Sequence, residues 1–277
     1  MQYFLTLLLV ALALASGRQW KAAITFGILA ALNLATIAPL YVGRSGETIT
    51  SPDSYRAMLV NVNSENDRYA DMEQAIRRYN PHVLVLLEVN DDWLTALRGL
   101  HGSYPHAITS PRDDNFGMAV FSRFPFTHSE IFELGGVAVP SLSVQMDLND
   151  RPVTILGTHT LPPGGADSSG LRNAQLAAIP AFLKNHPSPT LMILGDLNLT
   201  PWSTHFQRLL EQTGLRKCSQ GQGVHPTWPT FLPLFLIPID HCLHSPDIII
   251  LDEQVGWGVG SDHYPLIVDF TLEPDAP

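Results

Sequence analysis

Thr190-Leu191-Met192-Ile193-Leu194-Gly195-Asp196-Leu197-Asn198 decides how the rest of the chain is read. Leu191 to Leu194 form an unbroken apolar run, as expected of a strand buried on both faces. Gly195 is expected to turn the backbone tightly. Asp196 and Asn198 lie two apart, so in an extended chain they share a side. A carboxylate and a carboxamide are thereby held at the end of a buried strand, where open α/β sheets place their chemistry. Taken alone, the stretch reads equally well as a strand end with turn-forming Asp and Asn.

Other apolar runs end the same way. Asn61-Val62-Asn63 closes the first strand of the domain, and Glu88 follows five apolar residues, Val83 to Leu87. A carboxylate in that position suits pairing or metal binding better than solvation. His159 follows Ile155-Leu156-Gly157-Thr158, Asp240-His241 follows Ile239, and Ser261-Asp262-His263-Tyr264-Pro265 precedes the last strand. Each has a plain structural explanation, His159 as a core histidine and His263 as a loop residue. Six such endings are explained together only by a shared site.

Periodicity predicts strands at residues 57–62, 82–89, 117–122, 141–148, 152–160, 239–244, 248–255 and 264–272. It predicts helices at 67–79, 91–100, 171–183 and about 203–213, with Pro180 breaking or kinking the third. Asn149-Asp150 is expected to turn a hairpin, residues 162–169 a loop, and 221–238 a proline-containing loop. Strands alternating with helices suit an α/β sandwich of two sheets covered by helices.

The N-terminus has a different composition. Up to residue 42 its only charged side chains are Arg18 and Lys21. Residues 22–42 are long enough to cross a bilayer, which takes about 20 residues. Residues 1–15 suit either a short span or a signal-peptide core, since Ala13-Leu14-Ala15 resembles a cleavage site. The expected organisation is a membrane anchor of two apolar helices (1–43), a linker (44–54) and a catalytic domain (55–277). With Arg18 and Lys21 cytoplasmic, the catalytic domain would be extracytoplasmic. Residues 45–277 carry 26 acidic against 13 basic side chains, a formal charge of −13. That balance disfavours long-range attraction of nucleic acid without excluding a local basic groove. Cys218 and Cys242 lack metal-site spacing; a buried thiol is the default for Cys242, with a disulfide the alternative in an oxidising compartment.

Asn61-x-Asn63, Glu88, residues 117–125 (G-M-A-V-F-S-R-F-P), Thr158-His159, Gly195-Asp196-Leu197-Asn198, Ile239-Asp240-His241 and Ser261-Asp262-His263-Tyr264-Pro265 together resemble the endonuclease/exonuclease/phosphatase superfamily. The resemblance runs over about residues 56–272 in the family's order. It departs from the apurinic endonuclease pattern at Asn63, where that pattern has Asp. It implies a four-layer α/β sandwich of two mixed β-sheets, and a hydrolase of phosphate esters dependent on Mg²⁺ or Mn²⁺. Glu88, Asn61 and Asp262 would supply oxygen ligands of the kind Mg²⁺ prefers. Asp196, Asn198, His263, His159 and Asp240 would carry the chemistry, with water activated by Asp196 or His263. Asn63 and Asn115 would touch substrate. The expected substrates are lipid head groups or small phosphodiesters. DNA or RNA is the alternative, and a non-catalytic binding module the remaining one.

Overall fold

The computed structural model describes residues 2–42 and 54–274. Residues 43–53, nearly all of the expected linker, lie outside the described residues.

Two helices open the chain, α1 (Gln2–Ser16) and α2 (Trp20–Ile37), packed against each other. A tight turn joins them, with Gln19 N donating to Leu14 O at 2.9 Å. The segment Trp20–Tyr41 is long and apolar enough to cross a membrane, whereas the apolar helix Tyr3–Ser16 is shorter. Leu5, Leu9, Leu12, Ile24, Ile28 and Leu32 all face outward.

The strands that follow are β1 (Tyr55–Asn61), β2 (Val83–Leu87), β3 (His106–Ser110), β4 (Met118–Ser122), β5 (Phe126–Glu133), β6 (Pro140–Leu148), β7 (Arg151–His159), β8 (Thr190–Asp196), β9 (Arg216–Lys217), β10 (Asp240–His244), β11 (Ile248–Val255) and β12 (Leu266–Leu272). The helices among them are α3 (Tyr69–Tyr79), α4 (Asp91–Ala96), α5 (Ala166–Asn185) and α6 (Thr204–Thr213). They form two six-stranded sheets, in the orders β11-β12-β1-β2-β4-β3 and β5-β6-β7-β8-β10-β9. Each is mixed, because β1 pairs with β2 and β7 with β8 in parallel while the other pairs are antiparallel.

Leu59, Val85 and Met118 from the first sheet meet Leu142, Ile155 and Leu194 from the second in one apolar layer. The outer face of the first sheet buries Met72 and Ile76 of α3 and Trp93 of α4. The outer face of the second buries Leu176 and Ile179 of α5 and Phe206 and Leu209 of α6. The result is the four-layer α/β sandwich expected, its central strands apolar on both faces because both faces are covered. Asn149 and Asp150 turn the β6–β7 hairpin at φ of 53° and 59°, left-handed values that Asn and Asp tolerate.

Three local readings change. Gly195 does not end β8. The strand continues to Asp196, and the glycine is required because a Cβ there would lie 2.1 Å from Thr158 O of the neighbouring strand. Helix α5 begins at Ala166, inside the expected loop, and runs through Pro180 to Asn185. Cys218 and Cys242 form a disulfide with Cα atoms 5.3 Å apart, so neither is a free thiol.

Candidate active site

The sandwich brings strand ends of both sheets to one cleft of about 320 Å³. On the second sheet the ladder does the positioning. His159 is the last residue of β7, Asp196 the last of β8 and Asp240 the first of β10, and Asp196 is the register partner of both others. His159 Nε2 stands 3.6 Å from Asp196 Oδ2. Asn198 adopts a left-handed φ of 49° rather than continuing the extended strand. Its side chain donates to Thr160 O at 2.8 Å and stands 3.5 Å from His159 Nε2. Its backbone N–H donates to Asp196 Oδ1 at 2.8 Å. His263 reaches across from the loop before β12. Its Nδ1 lies 2.8 Å from Asp240 Oδ2 and its Nε2 3.7 Å from Asp196 Oδ2.

On the first sheet the site sits just past the strands. Asn63, Glu88 and Asn115 have φ of 58°, 60° and 65°. That region is uncommon for any residue but Gly, and Asn tolerates it better than Glu does. Asn61 Nδ2 donates to Glu88 Oε1 at 2.7 Å, and Asn61 Oδ1 accepts from Asn63 N at 3.1 Å. Asn63 Nδ2 donates to Asp262 Oδ1 at 3.0 Å, and Trp228 Nε1 to Asp262 Oδ2 at 3.0 Å. Asn115 accepts from the Ser64 hydroxyl.

Glu88, Asn115, His159, Asp196, Asn198, Asp262 and His263 line the cleft. Asn61, Asn63 and Asp240 do not line it. They are held behind Glu88, Asp262 and His263, respectively, by the hydrogen bonds just described. His241, adjacent to Asp240, is structural: it is bonded to Leu199 O and packs on Phe206.

Burial works against charge on His263, but Asp240 and Asp196 outweigh it and hold the imidazole up at about 10. Asp240 is depressed: its burial is overcome by the charge and hydrogen bond of His263. Asp196 is raised by burial and by Asp240. His159 is lowered to about 4 by burial and by His263, so it is neutral. Glu88 is raised to about 6 by burial, partly offset by its bond from Asn61.

Oxygen ligands for a divalent cation fit this cleft. Three carboxylates, Glu88, Asp196 and Asp262, line it, and among the described residues no Lys or Arg does. Against them stands the protonated His263, a single positive charge, so a divalent cation would offset carboxylate charge that one imidazolium does not. A second arrangement also converges, since Asp196, Asp240 and His263 place ligand atoms within 4.8 Å of one another. There the hydrogen bond between Asp240 and His263 already joins two of the three donors.

Sequence reasoning missed Phe116 and read Trp228 differently. Phe116 packs on the His159 ring at 5.2 Å between centroids. Trp228 falls in the expected proline-containing loop, yet it holds Asp262. Neither position carries a sequence signal, because each acts through a partner distant in the chain.

Two mixed six-stranded sheets packed face to face, covered by helices and carrying a polar cleft across their strand ends, define the class of four-layer α/β sandwiches. The chain belongs to the endonuclease/exonuclease/phosphatase family, whose model matches residues 58–263. It is similar in fold to an endonuclease/exonuclease/phosphatase from Beutenbergia cavernae (21% identity, TM-score 0.66, covering 80% of this chain and 73% of that one). It is similar also to the human Nocturnin catalytic domain with bound sulfate (19% identity, TM-score 0.66, 79% and 94% covered). A third similar structure is D. rerio TDP2 complexed with a single-strand DNA product (17% identity, TM-score 0.67, 79% and 99% covered). No curated protein sequence matches the chain.

Proposed function

We propose that this chain is a divalent-metal-dependent hydrolase of phosphate ester bonds, acting on lipid head groups or small phosphodiesters. The observation that carries this reading is the cleft with three lining carboxylates and, among the described residues, no lining Lys or Arg. His263 supplies one positive charge there, and a bound cation would supply the rest that a phosphate anion needs among three carboxylates. Glu88 and Asp262 would hold Mg²⁺ or Mn²⁺, with Asn61 offering its oxygen or fixing Glu88. The bound cation would neutralise charge on the scissile phosphate and the leaving oxygen.

The remaining work falls to the chain's own groups. Asp196, bracketed by the Nε2 atoms of His159 and His263, would orient and deprotonate the attacking water. His263 would donate from Nε2 to a phosphate oxygen while Asp240 holds Nδ1–H and so fixes the tautomer. The opposite division, with His263 taking the proton, would first require the imidazole to give up the proton that Asp240 and Asp196 hold on it. Asn198 and His159 would hydrogen-bond developing charge on the phosphate without adding negative charge. Asn115 lies at the cleft where it can touch substrate. Asn63 would position Asp262.

A nuclease is the second reading, favoured by the single-strand DNA in the D. rerio TDP2 structure. The −13 charge of residues 45–277 argues against it as the main activity. A panel of bis(4-nitrophenyl) phosphate, sphingomyelin, phosphatidylinositol phosphates, plasmid DNA and RNA separates the two. Hydrolysis should stop with a chelator and return with Mg²⁺ or Mn²⁺; full activity in excess chelator would refute the metal.

Residues 1–43 would anchor the domain, and the disulfide supports a domain facing an oxidising, extracytoplasmic compartment. Protease protection in intact cells checks that orientation.

A further inference from the structure

The loop between β9 and β10 contains Trp228-Pro229-Thr230-Phe231-Leu232-Pro233-Leu234-Phe235-Leu236-Ile237, without a charged side chain. An antiparallel bridge between Trp228 and Ile237 closes its base. That base belongs to the cleft: both residues line it, and Trp228 is bonded to Asp262. The tip points away from the protein. Phe231 is 66% exposed, Leu232 48%, Leu234 80% and Phe235 66%. Large apolar side chains concentrated in this way on one loop mark an interaction surface.

The end of the candidate span docks beside the same cleft. Trp202 Nε1 donates to Thr36 O at 3.2 Å, and Gln220 Nε2 donates to Pro39 O at 2.8 Å and Val42 O at 3.0 Å. Gly223 N donates to Leu40 O at 2.9 Å. These acceptors lie at the end of the helical segment, where carbonyls run out of intrahelical donors, although Pro39 O also accepts from Val42 N at 3.4 Å. The catalytic domain supplies their donors, so the segment is docked rather than loosely tethered. The donors also sit in the cleft's own loops. Leu199 and Thr200 line the cleft just before Trp202, and Gln220 and Gly223 precede Trp228.

We infer that residues 231–236 and the end of α2 form one membrane-facing surface, in which the loop tip enters the bilayer crossed by α2 and holds the cleft at head-group depth. A lipid bilayer is the occupant for three reasons. The span lies in the same chain and ends against this face. The tip has no charge to desolvate. Tyr41, Trp202 and Trp228, residue types suited to the interface, stand at its margin. The inference deepens the phosphoesterase reading and rests on it for one point, that the substrate is a phosphodiester presented by a lipid.

The test uses the full chain in phosphatidylcholine–phosphatidylglycerol nanodiscs containing a photoreactive acyl-chain probe, with labelled residues mapped by peptide analysis. Label is expected in residues 20–41 and 231–236 and not in α3. A Leu234→Asp/Phe235→Asp variant should lose loop label and keep it in residues 20–41. It should hydrolyse bis(4-nitrophenyl) phosphate within about twofold of the parent, while hydrolysis of a nanodisc lipid phosphodiester falls about tenfold or more, since lost apolar insertion weakens interfacial binding. Label confined to residues 20–41 overturns the inference, as does loop cross-linking to a second copy instead of lipid. A labelled loop with no hydrolysis of any phosphodiester would leave the membrane surface standing and remove the phosphoesterase reading.

Discussion

On the second sheet His159, Asp196 and Asp240 are themselves strand residues, and backbone pairing fixes their spacing. On the first sheet Asn63, Glu88 and Asn115 lie just beyond the strands in left-handed backbone, and side-chain amides fix them. One half of the cleft is therefore rigid by secondary structure. The other is rigid only as long as a chain of hydrogen bonds from Asn61 through Asn63 to Asp262 holds. The difference follows from the work each half is proposed to do. Proton handling between His159, Asp196 and His263 needs fixed short distances. A cation site needs carboxylates gathered against their mutual repulsion, which neutral amides can do without adding charge.

The largest expected effect tests the rigid half. Asp240→Asn and His263→Ala should each lower kcat/KM by about 10²–10⁴. The double variant should lose little more than either, because residues acting as a unit are not additive. Strictly multiplicative losses would dissolve the dyad and, with it, the assignment of that half. On the amide-held half a smaller loss is expected. Asn63→Ala frees Asp262 without removing a carboxylate, and should raise the cation concentration for half-maximal activity about 10–100-fold. An unchanged metal requirement with reduced kcat would instead place Asn63 on the substrate.

The same division governs what could be read from the sequence. β8 and β2 are apolar on both faces, so their runs and the polar residues that end them stand out. β3, β5 and β9 escaped notice because they are edge or near-edge strands with half-exposed, mixed sequences; β5, Phe126–Glu133, buries none of its residues fully. Helix α5 was shortened because residues 162–169 read as a Gly/Pro/Ser loop, yet it starts at Ala166, and packing of Leu176 and Ile179 on the second sheet carries it through Pro180. Within the site, Asp196, Glu88 and His263 were legible as polar residues where apolar ones belong. The role of Asn63 was not, since its partner Asp262 is 199 positions away. Gly195 was read as a turn because sequence shows a glycine's freedom but not which backbone approaches it.

That last point gives a stability prediction. Gly195→Ala places a methyl against Thr158 O inside a parallel ladder that cannot yield. A cost of about 1–3 kcal/mol is expected, the usual range for overpacking. At about 2–4 °C per kcal/mol for a domain of this size, a thermal melt resolves it. Gly117→Ala meets an even closer backbone atom, Val89 O at 1.8 Å, with Arg112 N at 2.5 Å, where main-chain hydrogen bonds tie Val89 to both Gly117 and Arg112. It should cost at least as much. A clearly smaller loss would mean that the loop half yields where the ladder half does not.

The smallest change in stability separates the halves by sign. Glu88→Gln keeps the backbone and an oxygen to accept from Asn61, and removes one of three carboxylates lining a cleft without Lys or Arg. With chelator present, the change relieves repulsion and desolvation, and should stabilise the protein by about 1 kcal/mol while abolishing metal-dependent activity, the trade-off expected where function is built against stability. His263→Ala removes a charge too, but it leaves Asp240 buried and unpaired, so it should destabilise. Melting both variants in chelator and again in excess Mn²⁺ completes the comparison. The parent should gain stability from Mn²⁺ by mass action, and Glu88→Gln should gain much less. If Glu88→Gln instead melts lower than the parent in chelator, Glu88 is a structural carboxylate satisfied by its neighbours. The cation site would then have to be sought among Asp196, Asp240 and His263, whose ligand atoms also converge.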